Sequence, residues 1–362
     1  MSEHEASSAL AGALIVAGFE GPGLDRDTAN ALAAGRRAGL ILFRRNIVSV
    51  EQVRALTTEI VRVAGNGPSP FVCVDQEGGR VARLAAPVVE LPPMRVLGDI
   101  GDPALSRRAG EIVGRELAAL GFNVDFAPVL DVDSNPENPV IGDRSFGRDA
   151  ERVTSLAIPF GEGLESAGVL ACGKHFPGHG DTDKDSHFDL PVVRQPALRL
   201  RAVELPPFAA AAARLGSFMT AHVVYEALDP DVPATLSGAI VTDLLRGELG
   251  FSGVLFSDDL EMRALADRYD IEDSAVEAVR AGCDVLLVCQ HHDLAERAHA
   301  ALVEEIEHDA RFRQRAVEAR ARSEAARRRF PARPAASATE LARVFDESGG
   351  RELADEIARR RS

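Results

Sequence analysis

The stretch Val169-Leu-Ala-Cys-Gly173 leads directly into Lys174-His175-Phe-Pro-Gly-His179-Gly-Asp181-Thr-Asp-Lys-Asp185-Ser-His187. The apolar run is typical of a buried strand, and Pro177, Gly178 and Gly180 disfavour a regular helix after it. We therefore expect the polar residues to lie on an irregular loop at the carboxyl end of a strand. Three histidines, three aspartates and two lysines within fourteen residues indicate an active site rather than a structural loop.

The same pattern, an apolar run and then polar residues, recurs along the whole chain. Amphipathic stretches with helical spacing, such as Ala104–Leu120, Pro196–Leu215 and Ile271–Ala281, separate the runs. Alternating strands and helices predict a parallel sheet, and eight units favour an α/β fold of the (β/α)8 TIM-barrel type. An open doubly wound sheet is disfavoured because no G-x-G-x-x-G fingerprint follows the first run. The predicted strands are Leu14–Phe19, Gly39–Phe43, Phe71–Val74, Val124–Leu130, Val169–Cys172, Ser217–Ala221, Gly253–Phe256 and Val285–Cys289.

Polar residues follow seven of these eight runs, as expected if the barrel carries its active site where the strands end. The helix-to-strand connections are instead rich in Gly and Ala. This asymmetry predicts one functional face. Its candidate residues are Arg44-Arg45-Asn46, Asp75-Gln76-Glu77, Asp131-Val132-Asp133, Lys174-His175, His222, Asp258-Asp259 and Gln290.

The chain after the eighth run is rich in Arg, Glu and Ala, which predicts a helical extension. Pro331-Ala-Arg-Pro-Ala-Ala interrupts it before a last helical piece. We expect residues 1–330 to form the catalytic barrel, and residues 331–362 to form a C-terminal linker and helical tail.

Composition excludes several classes of partner. The net charge of −15 disfavours nucleic acid and anionic membranes, because both are negative and no basic stripe is present. No apolar run approaches the ~20 residues of a membrane span. The acidic N-terminus differs from a signal peptide, and the four cysteines fit buried reduced thiols. The expected location is the cytoplasm, and the oligomeric state is left open.

Several blocks of the chain resemble the family-3 glycoside hydrolases, in particular their β-N-acetylglucosaminidase branch. The most specific is the Lys174–His187 stretch, and Val254-Leu-Phe-Ser-Asp258-Asp-Leu is the second. Weaker blocks occur in the same order, and together they cover about residues 12–290. They are Gly39-Leu-Ile-Leu-Phe, Val74-Asp-Gln-Glu-Gly-Gly-Arg-Val-Ala-Arg83, Phe126-Ala-Pro-Val-Leu-Asp-Val-Asp133, Gly142-Asp-Arg144-Ser-Phe-Gly147, Met219-Thr-Ala-His222 and Pro233-Ala-Thr-Leu-Ser237.

The resemblance implies a role for each matching residue. Asp258 would be the nucleophile of a retaining mechanism, whereas Asp259 better suits a cap on the following helix. His187 would be the general acid and base, with Asp185 orienting its ring, since an imidazole with a pKa near ~6.5 can both donate and accept the proton. The substrate-binding residues would be Asp75, Arg83, Arg144, Lys174 and His175.

The implied activity is the removal of terminal GlcNAc from muropeptides or chitooligosaccharides, with no cofactor and no metal. The chain has no tryptophan and two tyrosines, which favours a short, pocket-bound substrate over a long stacked polysaccharide. Two alternatives stay open. One is a glycoside phosphorylase on the same scaffold, because a histidine acid repels phosphate less than a carboxylate does. The other is a metal-dependent hydrolase using His175, His179, Asp181 and His187, disfavoured because the Pro-Gly interruption spoils helical ligand spacing and no H-E-x-x-H is present.

Overall fold

The computed structural model describes residues 2–65, 67–182 and 190–361. Eight parallel strands close into a barrel in which each strand pairs with the next along the chain and the eighth pairs with the first. The predicted α/β fold of the (β/α)8 type is therefore confirmed. The barrel strands are β1 (Ile15–Ala17), β2 (Gly39–Leu42), β3 (Phe71–Val74), β4 (Val124–Asp125), β5 (Leu170–Phe176), β6 (Ser217–Thr220), β7 (Val254–Asp259) and β8 (Val285–Val288).

Most strands differ by one or more residues from their predicted bounds, and the differences in β4 and β5 shape the site. β4 ends at Asp125 because Pro128, within the predicted run, has no N–H for a ladder. β5 instead continues to Phe176, so the prediction that Lys174 and His175 lie on a loop is wrong. The backbone of Lys174 pairs with the segment after β4, its N–H donating to Pro128 O at 3.1 Å and its carbonyl accepting from Leu130 N at 2.7 Å. Both side chains are thus held by strand geometry.

The barrel interior is packed with side chains rather than open. Phe256 lies edge-on to Phe71 at 5.5 Å and to Phe126 at 5.2 Å between ring centroids. Cys73 and Cys172 occupy the same interior cluster. All four cysteines are buried free thiols, as the sequence predicts. A filled interior leaves the two ends of the barrel as the places where ligands can bind.

Helices surround the barrel, and most match the predicted amphipathic stretches. The predicted helix Pro196–Leu215 is divided at Glu204, because Pro206 and Pro207 have no N–H to continue the first helix and instead begin the second. The α-helices are α1 (Glu3–Gly12), α2 (Arg26–Ala33), α3 (Val50–Ala64), α4 (Met94–Ile100), α5 (Pro103–Ala119), α6 (Ala150–Ser166), α7 (Ala197–Val203), α8 (Leu205–Ala211), α9 (Arg263–Ala266), α10 (Ile271–Ala281), α11 (His292–His308), α12 (Ala310–Arg329), α13 (Ala338–Glu347) and α14 (Gly350–Arg361).

Several short elements were not predicted. A small hairpin pairs Gln76–Gly78 with Val81–Ala82 directly after β3, and it carries Glu77 into the mouth of the barrel. A second small sheet is formed by Val192–Val193, Val224–Tyr225 and Asp229–Pro233. Single turns of 3-10 helix occur at Arg44–Asn46, Gly142–Arg144 and Ala234–Leu236, and Ala239–Glu248 is a wide π-type helix.

The C-terminal helices pack on the outside of the barrel. Leu353 and Ile357 of α14 are buried, and Ser348 Oγ donates to Glu116 Oε1 of α5 at 2.7 Å. Phe330 reaches the floor of the barrel, where its carbonyl accepts from Asn123 Nδ2 at 2.8 Å. Across the described ranges, no helix has both the length and the apolar character needed to cross a membrane.

Candidate active site

The carboxyl ends of the barrel strands surround a cavity of about 750 Å³. Every substrate-binding candidate from the sequence contributes to its lining, as does Asp258. Glu77, a strand-end candidate to which the sequence gave no role, and His179, which it named only in the metal alternative, line the cavity as well. The lining of the cavity includes Asp75, Glu77, Arg83, Arg144, Lys174, His175, His179, Asp258 and Asp259.

A buried ion-pair network forms one wall of this cavity. Lys174 Nζ lies 2.9 Å from Asp75 Oδ1 and 2.6 Å from Glu77 Oε1. Arg83 donates to Asp75 Oδ2 at 3.1 Å, while Arg144 binds both oxygens of Glu77 at 2.9 and 2.8 Å. Each carboxylate is therefore shared by two cations, which is the arrangement that makes buried charges tolerable.

The network fixes the charge of its members. Burial by itself would raise the pKa of both carboxyl groups, but Lys174 and Arg83 outweigh it and hold the pKa of Asp75 below its usual range. Arg144 and Lys174 do the same for Glu77, whose pKa falls to about 2. Conversely, Asp75 and Glu77 raise the pKa of Lys174 despite its burial. All these groups are charged at neutral pH, so the wall offers fixed donors and acceptors to hydroxyl groups.

His175 is oriented by a buried aspartate. Its Nδ1 lies 2.7 Å from Asp131 Oδ2, which assigns the Nδ1 proton to this contact and leaves Nε2 as the atom available to a ligand. Asp131 Oδ1 also accepts the backbone N–H groups of His175 at 3.1 Å and His179 at 2.7 Å. His175 and His179 outweigh the effect of burial and lower the pKa of Asp131. One carboxylate thus organises both the ring and the chain that follows β5.

The chain after β5 is tightly held as far as Thr182. Burial and the neighbouring His175 lower the pKa of His179 to about 4, so this ring is neutral at pH 7, and its Nδ1 lies 2.9 Å from Thr182 Oγ1. Asn138 Nδ2 donates to the carbonyls of His179 at 2.8 Å and Gly180 at 3.1 Å. Position 180 accepts only glycine, because a Cβ there would lie 1.6 Å from the carbonyl oxygen of Val132. Asp185 and His187, the candidate acid/base pair, lie outside the described residues.

The candidate nucleophile ends a buried strand, as predicted. Asp258 belongs to β7 and lines the cavity, and its Oδ1 accepts the N–H of Asp259 at 2.8 Å. Asp259 is not the helix cap that we expected, because α9 begins four residues later. Its Oδ1 instead accepts from the backbone of Glu261 and Cys289, both at 3.1 Å, which ties β7 to the end of β8. Burial, with Glu261 and Asp258 nearby, raises the pKa of Asp259 to about 7.

The outer rim of the cavity carries further cations. Glu261 accepts the N–H of His291 at 3.0 Å and Nδ1 of its ring at 2.7 Å, which raises the pKa of the exposed histidine. Arg45 also lines the cavity: its guanidinium carbon lies 4.8 Å from the ring centroid of Phe43, and its NH2 donates to the carbonyl of Cys289, two positions before His291. The sequence showed Arg45 as a strand-end residue but gave no reason to connect Glu261 with His291, which are thirty positions apart.

The described residues give no support to a metal centre within them. Across residues 2–65, 67–182 and 190–361, no group of three or more His, Cys, Asp and Glu side chains is arranged to hold an ion. Of the four residues in the metal alternative, His175 is engaged with Asp131 and His179 with Thr182.

A closed (β/α)8 barrel with buried charged side chains around a cavity at the carboxyl ends of its strands has the architecture of a barrel enzyme. The chain matches the model of the glycosyl hydrolase family 3 N terminal domain over residues 12–322, and it belongs to that family. It is thus a glycoside hydrolase.

Individual relatives agree with this placement. The chain is 43% identical to the beta-hexosaminidase of Chromobacterium violaceum over 271 residues, which are 73% of this chain and 75% of the relative. It is 44% identical over 286 residues to the beta-hexosaminidase of Alkalilimnicola ehrlichii, covering 76% of this chain and 80% of that one.

Solved structures share the fold at lower levels of sequence identity. A glycoside hydrolase family 3 beta-N-acetylglucosaminidase from Paenibacillus sp. superposes with a TM-score of 0.88 at 38% identity, over 94% of this chain and 68% of that one. NagZ from Neisseria gonorrhoeae, solved in complex with N-trifluoroacetyl-D-glucosamine, gives a TM-score of 0.81 at 32% identity, over 97% of this chain and 98% of that one.

Proposed function

We propose that the protein is a retaining exo-β-N-acetylglucosaminidase that removes terminal GlcNAc from muropeptides or chitooligosaccharides. The observation that carries this proposal is the buried Asp75–Lys174–Glu77–Arg144 network, which lines the same cavity as Asp258. The beta-hexosaminidase names of the relatives and the N-acylated glucosamine bound to NagZ support the substrate class.

In this mechanism Asp258 attacks the anomeric carbon while the glycosidic C–O bond breaks. His187 gives its proton to the departing oxygen, and an ester joins the sugar to Asp258. In the second half, His187 takes a proton from water, the water oxygen attacks the anomeric carbon, and the ester bond breaks. Asp185 orients the imidazole and stabilises its protonated form.

The buried ion-pair network binds the substrate. Each oxygen of Asp75 keeps lone-pair capacity beyond its one protein contact, so this carboxylate can accept from sugar hydroxyls. Arg83, Arg144, Lys174 and His175 donate to hydroxyl oxygens or to the N-acetyl carbonyl. Glu77 holds Lys174 and Arg144 at their separation and acts as a positioning residue.

We further propose that residues 1–330 form the catalytic barrel and residues 331–362 a C-terminal linker and helical tail that braces it. We place the protein in the cytoplasm, where short cell-wall fragments would be its substrates during peptidoglycan recycling.

The proposal is tested with chromogenic β-glycosides of GlcNAc, glucose and xylose. We expect the GlcNAc glycoside to be cleaved with the highest kcat/KM and with release of the β-anomer of GlcNAc. A preference for glucose or xylose would contradict the proposed substrate class. The same assay with added inorganic phosphate separates hydrolysis from phosphorolysis, because a phosphorylase would yield GlcNAc 1-phosphate instead of free GlcNAc.

A further inference from the structure

A second cavity, of about 420 Å³, lies at the opposite end of the barrel from Asp258. It opens between α12 and the segments that enter β2 and β3, at the amino ends of the strands. We call it the floor cavity. Its charged lining residues are Arg37, Arg320, Arg327 and Glu324. Three arginines are opposed by Glu324 and by Glu296, the partner of Arg37, so the site is positive by one charge in a chain whose net charge is −15.

Arg37 and Arg320 have anionic partners of their own. Arg37 NH2 donates to Glu296 Oε1 at 2.7 Å, and its NH1 donates to Arg36 O at 2.7 Å. Arg320 Nε donates to Glu324 Oε1 at 2.6 Å, one turn further along α12. Both carboxylates near the cavity are therefore already engaged.

Arg327 differs from both. The Arg327 side chain is almost completely buried, with the residue 5% exposed, and its Nε has no hydrogen-bond partner among the residues that the structure describes. Within the described ranges, no ion pair or hydrogen bond to its guanidinium is found. A buried guanidinium whose N–H groups are not hydrogen-bonded is unfavourable, and its planar fork of donors matches the two oxygens of an oxyanion.

The residues around Arg327 orient its side chain but do not accept hydrogen bonds from its guanidinium. Its guanidinium carbon lies 5.5 Å from the ring centroid of Phe71, the first residue of β3. This cation–π contact explains the orientation of the side chain but accepts none of its N–H groups. Burial, together with Arg320 and Arg328, lowers the pKa of Arg327 to about 10 in spite of Glu324. A bound anion would offset each of these unfavourable effects.

We propose that the floor cavity binds a small oxyanion, a phosphate or carboxylate group. The Arg327 guanidinium donates hydrogen bonds to this anion, and Arg37 and Arg320 add positive charge beside it. This site is separate from the glycosidase chemistry and does not depend on the proposed function.

The test is a calorimetric titration of the protein with inorganic phosphate at constant ionic strength, with chloride as the balancing ion. We expect one phosphate to bind, and Arg327→Gln to weaken this binding by about tenfold or more, because a charge-assisted bidentate contact is lost. Arg320→Gln should weaken it less. The matched control is Arg328→Gln, which removes the same charge from the next position of α12, where the side chain is exposed, and it should change the affinity by less than twofold.

Acetate and glucose 6-phosphate distinguish the sources of the anion. Tighter binding of acetate identifies a carboxylate ligand, and tighter binding of glucose 6-phosphate identifies a phosphate ester. Absence of binding by all three anions would overturn the proposal, and so would equal affinity in the parent and all three variants, since the anion would then lie elsewhere. If Arg327→Gln fails to fold, the comparison of Arg320→Gln with Arg328→Gln decides, and equal affinity in that pair rejects the site.

Discussion

Lys174 Nζ lies 2.9 Å from Asp75 Oδ1, which joins the end of β5 to the end of β3. The two residues are ninety-nine positions apart in the chain, and they meet because β3 and β5 both pair in parallel with β4. The Lys174 ammonium is also 2.6 Å from Glu77, so a single buried cation serves two carboxylates. The substrate wall is thus fixed before any ligand arrives, as pre-organised recognition requires.

Glu77→Gln tests whether this wall is a functional unit. The substitution keeps the shape of the side chain but removes the charge that holds Lys174 and Arg144. We expect kcat/KM on the GlcNAc glycoside to fall by roughly ten- to hundredfold, the size expected for losing hydrogen bonds to charged groups. The matched control is Glu162→Gln on the surface, whose partners are Arg107 and Arg214, and it should leave kcat/KM unchanged. Equal kinetics in the two variants would show that Glu77 does not act through the wall.

His187→Ala tests the acid/base assignment by the leaving group. A poor leaving group requires protonation and a good one departs without it, so the variant should lose far more activity on natural disaccharides than on dinitrophenyl glycosides. Asp185→Ala should shift the ratio in the same direction but less, because the imidazole remains. The parent's rate should also decline on the alkaline side of neutrality as the imidazolium is lost. An equal loss on both substrates would make His187 structural.

Asp125→Asn tests the charge state of a carboxyl group buried in the barrel. Burial raises the pKa of Asp125 to about 8, and its Oδ2 is buried with no hydrogen-bond partner among the described residues. In the unfolded chain the group ionises near pH ~3.9, so between about pH 4 and 8 the unfolded state loses a proton that the folded state keeps. As the pH rises from about 4 to 8, the free energy of unfolding therefore falls, because the folded state has to keep the Asp125 proton that the unfolded state releases. We expect Asp125→Asn to raise Tm more at pH 8 than at pH 5, and an equal gain at both values would contradict the protonated state.

Treatment with EDTA tests the alternative of a metal-dependent hydrolase. Nothing in the proposed mechanism needs a cation, so we expect turnover to be unchanged after chelation and dialysis. A large loss that zinc restores would favour the metal-dependent reaction over the covalent one.

The sequence predicted the barrel because eight apolar runs alternate with amphipathic stretches, a pattern that depends only on local composition. It also placed Asp75, Lys174 and Asp258 on one face, because parallel strands end at the same edge of the barrel. The partners of these residues could not be predicted in the same way. Glu77 reaches Arg144 and Lys174 only because a short hairpin follows β3. Gly78-Gly79 is a turn signal at this point, but a turn signal does not show which distant side chains the hairpin will contact.

Errors of detail arose where tertiary contacts override local signals. Lys174 and His175 precede a Pro-Gly pair, which favours a loop, yet pairing with the segment after β4 keeps them in β5. Asp259 precedes a helix, which favours a cap, yet its carboxylate ties β7 to β8. His187 and Asp185 lie outside the described residues, and their role stays a prediction.

The most direct test of the account is covalent labelling with a 2-deoxy-2-fluoro or 5-fluoro glycoside, followed by mass spectrometry of the proteolysed enzyme. We predict a stable glycosyl ester on the peptide that contains Asp258, with fragmentation placing the sugar on that residue, and no labelling of Asp258→Ala. The alanine variant should retain the Tm of the parent within a few degrees while losing nearly all activity. Labelling at Asp259, or substantial activity in Asp258→Ala, would contradict the covalent mechanism.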